Sequence, residues 1–112
     1  MNWIELKSIE QLDTIAAESA HSPILIFKHS TTCNISRTAL DRLERNYKSD
    51  ESKDLKAYFL DLLSYRDVSK AVAQKFNVVH ESPQAIVLKN GKAIYSASHF
   101  EIDYRSILKQ VG

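Results

Sequence analysis

Residues 24–36 read Ile-Leu-Ile-Phe-Lys-His-Ser-Thr-Thr-Cys-Asn-Ile-Ser. The first four form a continuous apolar run with β-branched members, the pattern of a strand covered on both faces. Polar residues carry the chain from His29 to Cys33, after which Ile35, Ala39, Leu40, Leu43 and Tyr47 recur at helical spacing. A buried strand therefore hands over to a helix through a short loop, and Cys33 lies at the helix start.

The same reading extends in both directions. Trp3 to Leu6 is a short strand, and Ser8 with Gln11 three residues on fits a capping box for a helix over 8–20 carrying Ile9, Leu12, Ile15 and Ala16. Pro23 closes that connection. Leu55 to Leu60 is a second interior strand ending at Asp61, and Ser64 is placed to cap a third helix with Val68, Val72 and Phe76. Ser82-Pro83 precedes a strand over 84–89. Asn90-Gly91 is a two-residue hairpin signal, with 92–97 as the return strand. Asp103 caps a last helix with Tyr104, Ile107, Leu108 and Val111. The resulting β-α-β-α-β-α-β-β-α order implies parallel crossovers finished by an antiparallel hairpin. This is the thioredoxin fold, an α/β architecture with a mixed sheet of four to five strands flanked by helices.

With 112 residues the chain has the length of one domain, expected to span 1–112. Fifteen basic and 14 acidic side chains nearly cancel, which argues against a nucleic-acid or membrane-surface binder. No apolar leader follows Met1 and the longest apolar run is Ile24–Phe27, so a cytoplasmic location is expected. One cysteine excludes an internal disulfide, and the charged stretch Lys48–Lys53 reads as a surface loop. The scattered histidines His21, His29, His80 and His99 and the single cysteine offer no metal-ligand spacing, so no metal is expected.

A thiolate is the nucleophile and a thiol is not. The first amides of a helix are unpaired and carry a partial positive charge, which favours an anion placed against them. The Cys33 sulfur is expected to accept hydrogen bonds from the Ile35 and Ser36 amides, with the Ser36 hydroxyl and the Arg37 cation nearby. A cysteine serving only as packing belongs on an apolar helix face or inside a strand; the polar neighbours Thr31, Thr32 and Asn34 favour the reactive reading. Within a thioredoxin order, Pro83 is expected to be cis and to face the cysteine, so that the Ser82 backbone pairs with an extended substrate.

Ser30-Thr31-Thr32-Cys33-Asn34-Ile35-Ser36 after one strand, and His80-Glu81-Ser82-Pro83-Gln84 before another, resemble the YtxJ family, the monothiol bacilliredoxins. Ala97-Ser98-His99-Phe100 is similar to the motif these proteins carry after the hairpin, and the resemblance covers essentially the whole chain. It implies that Cys33 exchanges thiols with bacillithiol mixed disulfides on client proteins. It further implies that Ser82 and Pro83 form the substrate ledge. No tightly bound cofactor is implied; bacillithiol is a co-substrate. The family often has proline after the cysteine, where this chain has Asn34, which retains an amide.

Thr31, Thr32, Asn34, Ser36 and Arg37 join Ser82 and Pro83 as expected substrate contacts. Lys28 and Arg37 are candidates to hold the carboxylates of the small thiol, against the plainer reading that both are solvated surface residues. The competing functions are a non-catalytic thioredoxin-like binding module and an iron–sulfur carrier of the monothiol glutaredoxin kind, whose CGFS motif this chain lacks. A Cys–His hydrolase would use His29 or His80 as its base, but no orienting third group is evident. His29 more simply tunes the sulfur or lines the loop. Tyr95 and Phe100 are expected in core or hairpin packing.

Overall fold

The computed structural model describes residues 1–48, 50, 51 and 54–111. Most of the charged loop expected over 48–53 therefore lies outside or at the edge of the described residues. The elements run β1 (Trp3–Glu5), α1 (Gln11–Glu18), β2 (Ile24–His29), α2 (Asn34–Asn46), β3 (Lys56–Asp61), α3 (Arg66–Lys75), β4 (Gln84–Lys89), β5 (Lys92–Ser98), a 3₁₀ turn (His99–Glu101) and α4 (Tyr104–Val111). They build a thioredoxin fold. Its five-stranded sheet has the order β1-β3-β2-β4-β5, with β1 and β2 parallel to β3 and the β4–β5 hairpin antiparallel.

β2 occupies the centre and is buried at all six positions, as its apolar run requires. Its side chains alternate between two cores. Ile24 and Ile26 pack with Leu12 and Ile15 of α1 and with Val68 and Val72 of α3. Leu25 and Phe27 pack with Ala39 and Leu43 of α2 and with Ile107 of α4. Burying each of these larger side chains contributes roughly 1.5–3 kcal/mol. Asn90 and Gly91 both have positive φ, 53° and 75°, as a tight twisted hairpin turn requires. Asp103 Oδ2 accepts the Ser106 amide at 3.1 Å, the expected cap of α4.

Three local expectations are corrected. α1 begins at Gln11, not at residue 8, with residues 9 and 10 forming a turn, although the Gln11 side chain makes the contact to the Ser8 amide that a capping box calls for. Its Oε1 accepts the Lys7 and Ser8 amides at 2.7 and 3.0 Å, and its Nε2 donates to Glu5 O at 3.0 Å. α3 begins at Arg66 behind an uncapped Tyr65, because the Ser64 hydroxyl donates instead to Asp61 Oδ2 at 3.0 Å. Tyr95 packs against the α2/α4 core as expected, but Phe100, on the 3₁₀ turn beyond the hairpin, is 71% exposed.

Candidate active site

The sheet ends and α2 begins within five residues. The Cys33 amide donates to Ser30 O at 3.2 Å, and the Arg37 amide donates to Cys33 O at 3.1 Å. Cys33 therefore stands at the N-cap of α2 with extended backbone (φ −107°, ψ 121°) and partly exposed. Its side chain makes no cap hydrogen bond, contrary to the expectation for the Ile35 and Ser36 amides. The carbonyl of Cys33, not its sulfur, closes the first turn. What reaches the sulfur from the helix is the diffuse field of the unpaired amides.

Ser36 is the larger correction. It is fully buried, accepts the Ser30 amide at 3.0 Å and lies 2.7 Å from His29 Nδ1. Its hydroxyl ties the exit of β2 to the first turn of α2, so it turns neither to the sulfur nor to a substrate. His29 belongs to the α2 side of β2, stacked near Phe27 and Phe59 with ring centroids 6.1 and 5.4 Å away. Burial holds the His29 imidazole below its usual range; the Arg37 cation pushes the same way and the Asp61 carboxylate opposes. The Ser36 hydroxyl and His29 Nδ1 share one hydrogen bond, whose donor is set by the tautomer of the ring. Asp61 is the parallel partner of His29 across β2 and β3, and its Oδ1 is buried without a hydrogen-bond partner. Nothing in the sequence singled Asp61 out, although an acid ending an interior strand beside a histidine ending the next was visible there.

Thr31, Thr32, Asn34 and Arg37 are exposed around the cysteine. Arg37 Nη2 reaches Thr31 O at 3.5 Å, a long contact that lays the guanidinium along the loop. The Ser82–Pro83 bond is cis, Pro83 is buried and Ser82 is partly exposed. The antiparallel register ends at Lys28–Gln84, which sets Pro83 at the level of His29, four residues before Cys33. The two segments singled out in the sequence thus meet at one end of the sheet.

Lys28 does not join them. Alternation sends it to the α3 side, where it is fully buried and Nζ donates to Ser69 O and His80 Nδ1, both at 3.1 Å. Burial pushes its ammonium down to about 8. It cannot hold a carboxylate beside Cys33, whereas Arg37 lies over the cysteine loop. His80 likewise sits over Lys28 and is no base for Cys33; burial first, and the Lys28 charge second, keep its imidazole below its usual range. Among the described residues no cluster of three or more His, Cys, Asp or Glu is arranged to hold a metal.

The family model for monothiol bacilliredoxin BrxC matches residues 4–107. A solved structure assigned as an oxidoreductase with a thioredoxin fold superposes with a TM-score of 0.80 at 35% identity, covering 95% of this chain and 90% of that one. The Schistosoma mansoni thioredoxin pre-protein gives a TM-score of 0.74 at 18% identity, with all of both chains covered. Thioredoxin from Fasciola hepatica gives 0.70 at 16% identity, covering 96% and 94%. At such identities these two share the fold alone.

Proposed function

The chain belongs to the monothiol bacilliredoxin family and is a thiol–disulfide oxidoreductase, and from that premise we propose that it removes bacillithiol from mixed disulfides on cytosolic proteins through Cys33. One observation carries this reading. The sole cysteine of the chain stands partly exposed at the N-cap of α2, and the position three residues on, Ser36, carries a buried hydroxyl instead of a second thiol.

The Cys33 thiolate attacks the bacillithiol sulfur of the mixed disulfide. A new S–S bond forms between Cys33 and bacillithiol, the client–bacillithiol bond breaks, and the client leaves as a thiolate that takes a proton from water. The client is reduced and Cys33 is oxidised. With no second cysteine, Cys33 cannot expel the adduct itself. A second bacillithiol thiolate attacks the bound one, leaving bacillithiol disulfide and free Cys33 thiolate. Thr31, Thr32, Asn34 and Arg37 border the incoming disulfide, and the Ser82 backbone before cis-Pro83 offers its polar groups to the client chain. Ser36 contributes by holding the loop geometry.

Intact-mass measurement after mixing with a bacillithiolated protein tests the proposal. Wild-type protein should gain one bacillithiol, and Cys33→Ser should gain none. Parallel trials use glutathione and coenzyme A mixed disulfides. Transfer of either of these, with none of bacillithiol, would reassign the small thiol.

A further inference from the structure

A cavity of about 310 Å³ lies on the α3 side of the sheet, away from α2. Arg66, Ser69, Lys70, Ala73 and Gln74 of α3 form one wall, with Leu62 and His80 completing it. Its size is at the lower end of small-molecule sites. No aspartate or glutamate lines it. Arg66 and Lys70 are one helical turn apart on the same face, an arrangement that disfavours an isolated helix by a few tenths of a kcal/mol, ~0.2–0.5. Among the described residues neither forms an ion pair within 4.0 Å.

Behind the wall stands Lys28. Its ammonium is fully buried, and its two acceptors, Ser69 O and His80 Nδ1, are uncharged and belong to residues that line the cavity. An ammonium has three donors, so one remains beyond these two bonds. Removing a cation from water without a counter-charge is costly. Asp67, beside Arg66, and Glu81, beside His80, are not among the lining residues, and Glu81 lies 3.5 Å from His99. Arg66 and Lys70 on the wall, with Lys28 behind it, thus face a cavity whose lining residues include no carboxylate.

Two of its lining residues, Leu62 and His80, stand at the same end of the sheet as the cysteine loop. The Leu62 amide donates to His29 O at 3.1 Å, and His80 is two residues before Ser82. We propose that this cavity receives the carboxylate-bearing arm of the low-molecular-weight thiol that is exchanged at Cys33. This rests on the reading under Proposed function and adds the selectivity element: thiols lacking carboxylates forgo the Arg66, Lys70 and Lys28 field. Arg66 and Lys70, being exposed, meet the anion directly, and Lys28 acts through Ser69 and His80 as a positioning residue.

The test uses full-length Cys33→Ser protein, which cannot form the adduct, titrated under reducing conditions with bacillithiol or with carboxylate-free cysteamine. Bacillithiol should shift the amide resonances of Ser69, Lys70 and His80, and cysteamine should not. Arg66→Glu with Lys70→Glu, both at exposed positions, should weaken the bacillithiol response at least tenfold. In otherwise wild-type protein the pair should raise KM for a bacillithiolated client by a similar factor with kcat little changed. Shifts confined to residues 31–37, or a KM unmoved by the charge reversal, would overturn the assignment. Failure of wild-type protein to accept bacillithiol on Cys33 would sink the earlier reading, while the amide shifts would still decide whether the cavity takes the anion.

Discussion

Lys28 and His29 are consecutive on β2, and they leave it toward opposite layers of helices. Both are buried bases, yet their surroundings differ in kind. His29 meets Ser36 at 2.7 Å and has Asp61 across the strand pair, so a carboxylate opposes the effect of burial. Lys28 meets only neutral acceptors, and nothing opposes the burial that pushes it down to about 8. On the α2 side the buried base has a hydroxyl partner and a carboxylate across the strand pair, although Asp61 Oδ1 itself is buried without a hydrogen-bond partner. The α3 side retains an electrostatic demand that the chain does not meet. A thioredoxin-like sheet thus holds reactivity on one face and charge on the other, one residue apart at its central strand.

The contrast is broken most forcefully at Lys28. Lys28→Ala removes a fully buried stem as well as a charge, and should destabilise by about 3 kcal/mol, within the range for large-to-small core changes. Lys28→Met keeps the volume and discards the ammonium, and should stay within about 1 kcal/mol of wild type, because replacing a buried charge by an apolar isostere is often neutral. Denaturant unfolding separates the two. A loss from Met as large as that from Ala would mean that the ammonium itself stabilises the fold.

The pH dependence sharpens the same point at a somewhat smaller magnitude. Lys28 has a folded value of about 8 against an ordinary 10.5. Between those values the unfolded chain binds more protons, so stability rises with pH over that interval and falls again as pH drops toward 8. The gain should be on the order of 2 kcal/mol, somewhat less than the full shift implies at about 1.36 kcal/mol for each unit. Tyr58, raised by burial and by its bond to Glu18, works in the opposite sense at high pH. Subtracting the curve of Lys28→Met removes that contribution, and a flat difference would show that Lys28 does not titrate as its burial requires.

On the α2 side the corresponding test is Ser36→Ala. It leaves the Ser30 amide and His29 Nδ1 without their shared partner, and should cost about 1–2 kcal/mol by thermal or denaturant melts. Exchange at Cys33 should slow as well, through a loosened loop. A variant with unchanged stability would mean that the hydroxyl is replaceable by water and braces nothing.

How far these two environments could be foreseen differs between them. The apolar run at Ile24, the Asn90-Gly91 pair and the Asp103 cap are local signals, and each predicted its element because the deciding interactions lie within a few residues. Cys33 at a helix start was legible for the same reason. Ser64 misled because a serine near a helix start has several partners within reach, and Asp61 won that competition, whereas Ser8 met its expected partner Gln11 but the helix starts three residues later. The role of Ser36 was hidden by His29, seven residues back but adjacent only once β2 and α2 fold together. Strand alternation was enough to turn Lys28 away from Cys33. Its partners Ser69 and His80 are 41 and 52 residues distant, and only the crossover through α3 brings them to it.

The smallest effects are the most specific, and they are read from the histidine rings by NMR titration. His80 is held low by burial first and by the Lys28 charge second, with Glu81 opposing. Lys28→Met removes the second cause only, so the His80 midpoint should rise toward the ordinary histidine value without reaching it. His29 is held low by burial, then Arg37, against Asp61. Asp61→Asn removes the one opposing group, so the His29 midpoint should fall further. The signs are opposite because one variant deletes a cation that faces an imidazole and the other deletes an anion. Each change should also stay on its own side of the sheet: Lys28→Met should leave His29 unmoved, and Asp61→Asn should leave His80 unmoved. A shift of both rings by either variant would mean that charge is shared through β2, and the division between a reactive face and a charged face would fail at the strand that defines it.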